Sequence, residues 1–172
     1  VRVSTISFPD RHFVVAGSIA YNGSALDPML VRWSDQEDFT VFAPTATNTA
    51  GDQRLEIGTK IVTMQPTRDE MLIFTDEATY GMAFVGAPFI FSFRLLSTGS
   101  GAGGKNTVAD IDGTVSWMGK DRFFVGLWVL WIEVFGMIHS EREKFLLHLM
   151  LQVICMNRKQ EPVQMAHQCQ HL

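Results

Sequence analysis

The apolar residues of this chain come in short runs broken by turn formers, and that pattern constrains the fold more than any other feature. His12 to Gly17, Met29 to Ser34, Phe39 to Phe42, Arg54 to Ile57, Lys60 to Met64, Met71 to Thr75, Thr79 to Val85 and Phe89 to Leu95 each have strand length. Val108 to Ile111, Thr114 to Met118 and Arg122 to Val125 follow. Gly, Pro, Asn and Asp separate them, as in Asn22-Gly23-Ser24 and Asp27-Pro28. Aromatic and β-branched residues dominate the runs, which suits a pleated, half-buried surface. The expectation is a mainly β chain of antiparallel sheets. Gly99 to Gly104 reads as a flexible loop, too glycine-rich for regular structure.

The runs also echo one another. Leu30-Val31-Arg32-Trp33-Ser34-Asp35 resembles Leu72-Ile73-Phe74-Thr75-Asp76, 42 residues from Leu30 to Leu72. Val115-Ser116-Trp117-Met118-Gly119 is a weaker third copy, with Phe74 and Trp117 43 residues apart. A second aromatic follows each copy, Phe39, Tyr80 and Phe123, at separations of 41 and 43. A period of about 42 falls in the range of roughly 40–50 residues expected of four-stranded propeller blades. The pattern therefore predicts stacked, partial β-propeller blades, up to three and incomplete, over residues 1–125. Trp33, Phe39, Phe74, Tyr80, Trp117 and Phe123 are expected to pack blade against blade, and Asp35, Asp76 and Asp112 to form the turns.

Composition divides the chain. Residues 1–125 hold all ten Asp and twelve of the fourteen Gly; residues 126–172 hold no Asp, both Cys and four of the five His. After Phe123-Phe124-Val125 comes the apolar run Gly126 to Ile138. Ser140-Glu141-Arg142-Glu143 then has capping-box spacing, and Phe145, Leu146, Leu149, Met150, Val153 and Ile154 recur at helical spacing. The second part is thus expected to be apolar, then helical. Two origins for it compete: a shifted reading frame or spurious junction after Val125, or a genuine C-terminal element packing on a blade. At the other end, Val at position 1 and a strand beginning almost at once suggest a piece of something longer.

The segment Val31-Arg32-Trp33-Ser34-Asp35-Gln36-Glu37-Asp38-Phe39 resembles the tail hub, nozzle or stabilisation proteins of podovirus-type phages, where similar Arg-Trp-Ser-Asp segments recur in propeller domains. Thr47 to Gly51, Ile73 to Asp76 and Asp112 to Gly119 fit the same pattern in order, so the resemblance covers about residues 10–125. It implies a virion structural protein acting in tail assembly and genome passage, located in the phage tail and in the host cytoplasm before assembly. Its implied partners are other copies of itself or other tail proteins. It implies no enzyme activity, no cofactor and no catalytic residue.

Other chemistry finds less support in the residues. A net charge of −4 gives no basic footprint for nucleic acid. Phe123 to Ile138 is shorter than the roughly 20 residues of a membrane span and contains Glu133. Cys155, His167, Cys169 and His171 lack zinc-site spacing, so no metal is expected. Gly99 to Lys105 has P-loop glycine spacing, but Asn106 replaces the Ser or Thr and strand residues follow, not a helix. The alternative function is a glycan-binding or glycoside-active propeller, which requires two carboxylates converging at about 5–9 Å.

Overall fold

The computed structural model describes residues 3–7, 10–111, 113–127 and 130–133. The chain is mainly β, built from antiparallel sheets, with no helix among the described residues. It divides into two compact units, Val1–Gly103 and Gly104–Leu172.

The first unit holds two four-stranded sheets. The first is β1 (Val3–Ser7), β2 (His12–Ile19), β3 (Leu26–Trp33) and β4 (Gly51–Arg54), in that order. The second is β5 (Ile61–Pro66), β6 (Met71–Thr75), β7 (Ala78–Gly86) and β8 (Ile90–Thr98), again in chain order. Every pairing is antiparallel and joins strands consecutive in the chain, so each sheet is an up-and-down meander. A bulge at Gly17 shifts the register of β2 against β3.

Alternation places the core. In β3, Met29, Val31 and Trp33 point to one face and are buried; in β2, Val14 and Ala16 join them. They cluster with Ile61, Met64, Met71, Ile73, Tyr80, Met82 and Phe91 of the second sheet, so the two sheets pack face against face. The Trp33 ring meets Phe91 edge-on at 5.3 Å and lies 5.8 Å from Phe93. β6 is buried on both faces along its whole length. That is why Met71 to Phe74 is a continuous apolar run with no polar face. Each such side chain contributes on the order of 1.5–3 kcal/mol of burial.

The second unit carries β9 (Val108–Ile111), β10 (Thr114–Met118), β11 (Phe123–Leu127) and β12 (Leu130–Glu133), a third four-stranded antiparallel meander. β11 runs across Val125, and Phe124, Val125, Gly126 and Leu127 pair with Glu133, Ile132, Trp131 and Leu130. The compositional break after Val125 is therefore not a break in the sheet. The separation into compact units falls earlier, at Gly103. The expected C-terminal helix, Ser140 onward, lies outside the described residues.

Three expectations are corrected. Phe39 to Phe42 is not a strand; it belongs to a 17-residue connection, 34–50, between β3 and β4. The strand expected over Arg54 to Ile57 is displaced to Gly51–Arg54, because Trp33 pairs with Gly51 and Leu30 with Arg54. Gly99 to Gly104 has no regular structure, yet it is anchored. The Ala102 amide donates to the Thr75 carbonyl at 3.0 Å, and Ser100 and Ala102 are buried. At Gly101 a Cβ would collide with the Asp76–Glu77 backbone, so glycine there permits close approach rather than mobility.

Candidate functional site

The repeat read from the sequence can be checked against strand position. Phe74 and Trp117 both lie in the second strand of their sheets, and Tyr80 and Phe123 both in the third. Trp33 ends the third strand of the first sheet, and Phe39 lies in no strand at all. The 43-residue spacing thus joins equivalent strands of the second and third sheets. The 42-residue spacing from Leu30 to Leu72 does not: the long connection between β3 and β4 shifts the first sheet out of phase.

The six aromatics have unequal surroundings. Trp33, Phe74, Tyr80 and Trp117 are buried; Phe123 is half-buried; Phe39 is 49% exposed. Phe39 rests on Phe13 at 6.0 Å, so it covers its own sheet instead of a neighbouring one. Trp117 stacks on Phe124 at 5.2 Å within its own unit. Tyr80 uses both ends: its ring is in the core while its hydroxyl accepts from the Ile57 amide at 2.8 Å. Only Trp33 and Tyr80 belong to the core cluster shared by the first two sheets.

Two of the three turn aspartates perform one device twice. Asp35, just past β3, accepts from the Thr49 amide at 2.9 Å and the Thr49 hydroxyl at 2.6 Å. Asp76, just past β6, accepts from the Thr59 amide at 2.8 Å and the Thr59 hydroxyl at 2.6 Å. In both cases a carboxylate at one strand end fastens the threonine that leads into the antiparallel neighbour. The Thr49 hydroxyl and amide hold the Asp35 carboxyl below its ordinary value of 3.8. Burial pushes Asp76 upward, but the Thr59 hydroxyl and the Thr59 and Lys60 amides together outweigh it, so its carboxyl is also lowered. Asp112 lies outside the described residues.

Asp35 belongs to a larger polar chain that the sequence reading missed. His12 opens β2 and points inward with Val14, fully buried. Its Nδ1 lies 3.0 Å from Asp10 Oδ2, and its Nε2 lies 3.0 Å from Thr49 Oγ1. Asp10, 5% exposed, also accepts from the Ser7 hydroxyl at 3.1 Å. The Trp33 indole N–H donates to the Thr49 carbonyl at 2.8 Å. The Phe91 and Phe84 rings flank the imidazole at 5.1 and 5.8 Å. At the other end of the connection, Arg32 donates to the Phe42 carbonyl at 2.8 Å and lies over the Phe42 ring. Asp-x-His near a strand start was visible in the sequence; Thr49, 37 residues from His12, was not.

Asp10, His12 and Thr49 are the atom types of a nucleophile-activating triad at suitable distances. The chemistry differs. The Thr49 hydroxyl is 2.6 Å from Asp35, so its proton is directed to that carboxylate and not to the imidazole. The imidazole is fully buried, out of reach of a substrate. What the arrangement does is fasten the long connection to the sheet.

The remaining candidates are placed as follows. The residues after Gly99 to Lys105 form β9, so no helix N-terminus follows that loop to bind phosphate. Among the described residues no group of three or more His, Cys, Asp or Glu could hold a metal ion. Among them no helix is long and apolar enough to cross a membrane. Cys155, His167, Cys169 and His171 lie outside the described residues. Fold and site together define, among the described residues, a mainly β architecture of antiparallel sheets with buried polar fastenings. No protein-family model matches the chain, and no curated protein matches it.

Proposed function

We propose that this chain is a structural component of a phage virion tail, with its four-stranded sheets serving as partial β-propeller blades. The observation that carries the reading is the succession of three antiparallel meanders, each of four strands in chain order. Blades of this kind bury their faces on neighbours, and the first two sheets here do so through a shared apolar core. The Arg32-Trp33-Ser34-Asp35 segment adds the likeness to podovirus-type tail proteins. A closed propeller takes about four to eight blades, so three are completed by other copies of the chain or by other tail proteins. The role is mechanical, in assembly and genome passage, and uses no cofactor. Exposed apolar side chains at the β7–β8 hairpin, Phe84, Val85 and Phe89, offer contact surface for such neighbours.

Size-exclusion chromatography with light scattering on the full chain tests this reading. A defined oligomer that persists on dilution is expected. A monomer at every concentration, with no ring in electron micrographs, would contradict it.

A further inference from the structure

We propose that His12 donates a hydrogen bond from both ring nitrogens, and so sits in the core as an imidazolium that pins the β3–β4 connection to β2. The argument is a count of protons. Thr49 Oγ1 has three polar neighbours: Asp35 Oδ1 at 2.6 Å, the Gln36 amide at 2.9 Å and His12 Nε2 at 3.0 Å. A hydroxyl has one proton and two acceptor lone pairs. Two oxygens 2.6 Å apart need a proton between them, and the Asp35 carboxylate, which also accepts from the Gln36 and Thr49 amides, has none to give. The Thr49 proton therefore lies toward Asp35. The Gln36 amide can only donate. The lone pair left on Thr49 faces Nε2, which must then carry a proton.

On the other side, Nδ1 faces Asp10 Oδ2 at 3.0 Å. Asp10 already accepts from the Ser7 hydroxyl through Oδ1, so the carboxylate serves as an acceptor on that oxygen and faces Nδ1 with the other. The second proton therefore belongs on Nδ1. The charges facing the ring are Asp10, from the connection preceding its own strand, and Asp35 relayed through Thr49. From β7 and β8, the Phe84 and Phe91 rings flank the imidazole at 5.8 and 5.1 Å. Arg11 is occupied by Glu37 at the exposed surface. One buried cation between two carboxylates explains how a 17-residue connection with no strand of its own is held in place.

The test is the ring nitrogen resonances of His12 in the intact, isotopically labelled chain near neutral pH. Two protonated ring nitrogens, each coupled to a slowly exchanging proton, are expected. A bare Nδ1 or Nε2 overturns the proposal, including the case in which Asp10 keeps the proton. Replacing the acceptor by Thr49→Val gives a second readout. The His12 Nε2 proton, left without its acceptor, should exchange at least about tenfold faster while the β6 amides keep their protection. Unchanged exchange at Nε2 would remove the pinning role, and if the variant does not fold, the resonances of the unaltered chain still decide.

Discussion

The two sheets of the first unit contain the same number of strands in the same order, yet they are held in different ways. The second sheet closes its central hairpin within two residues, Asp76 and Glu77. There the Thr75 hydroxyl accepts from the Glu77 and Ala78 amides at 3.2 and 2.8 Å and donates to the Ala78 carbonyl. Its order follows from neighbours in sequence. The first sheet carries the connection 34–50 and gathers it with partners far apart in sequence: His12 with Thr49, Trp33 with Thr49, and Arg32 with Phe42. A local sheet and a non-local one can share a strand order while differing in what breaks them.

The difference is sharpest at Trp33. Trp33→Ala removes a side chain shared by both sheets and also frees the Thr49 carbonyl. A loss of about 3–5 kcal/mol is expected in denaturant unfolding, with the β3–β4 connection losing amide protection. The equally buried Phe74→Ala should cost a similar amount and leave the connection protected. Equal effects on the connection would erase the comparison.

Gly51→Ala comes next. A Cβ there would stand 2.5 Å from Trp33 Cζ2, against a ring wedged in the core. About 1–3 kcal/mol of destabilisation is expected in the same unfolding assay. Gly86→Ala, with nothing within 4 Å of the added atom but a φ of 75°, should cost less, on the order of 1 kcal/mol.

Acid separates the two aspartate fastenings. Both carboxyls are lowered in the folded chain, so each contributes stability that is fully present above about 3.8 and is lost as the pH falls through the lower folded value. Asp35→Asn and Asp76→Asn should each flatten that acid limb in thermal melts across pH. Asp35→Asn should also free the connection, because Thr49 hangs on it; Asp76→Asn should affect only the approach to β5. The smallest effect belongs to the hairpin tip. Phe89, 78% exposed, should tolerate Phe89→Ser within about 0.5 kcal/mol of monomer stability, while any self-association through the tip weakens in light scattering.

How much was legible in the sequence follows the same division. Met71 to Thr75, Val108 to Ile111 and Thr114 to Met118 were readable to the residue, because each is a short apolar run bounded by its own turn residues. Asp35 and Asp76 were readable as turn residues, though not their threonine partners. β1 was missed because Val3 to Ser7 is a weakly patterned edge strand, defined by its pairing with β2. Phe39 to Phe42 looked like a strand because its aromatics are real but cover their own sheet. The His12 network escaped for a physical reason: a lone histidine at a strand start gives no sign of a threonine 37 residues away. The 43-residue spacing joins equivalent strands of the second and third sheets, while one long connection is enough to shift the first sheet out of phase.

The central claim is that polar partners remote in sequence hold the β3–β4 connection as firmly as local packing holds β6. Residue-resolved amide hydrogen exchange on the intact chain tests it most directly. Protection of the Gln36 and Thr49 amides comparable to that of Ile73 and Phe74 is predicted. Fast exchange at Gln36 and Thr49 against a protected β6 would contradict it, leaving the connection a loose surface loop and the buried network without a mechanical role.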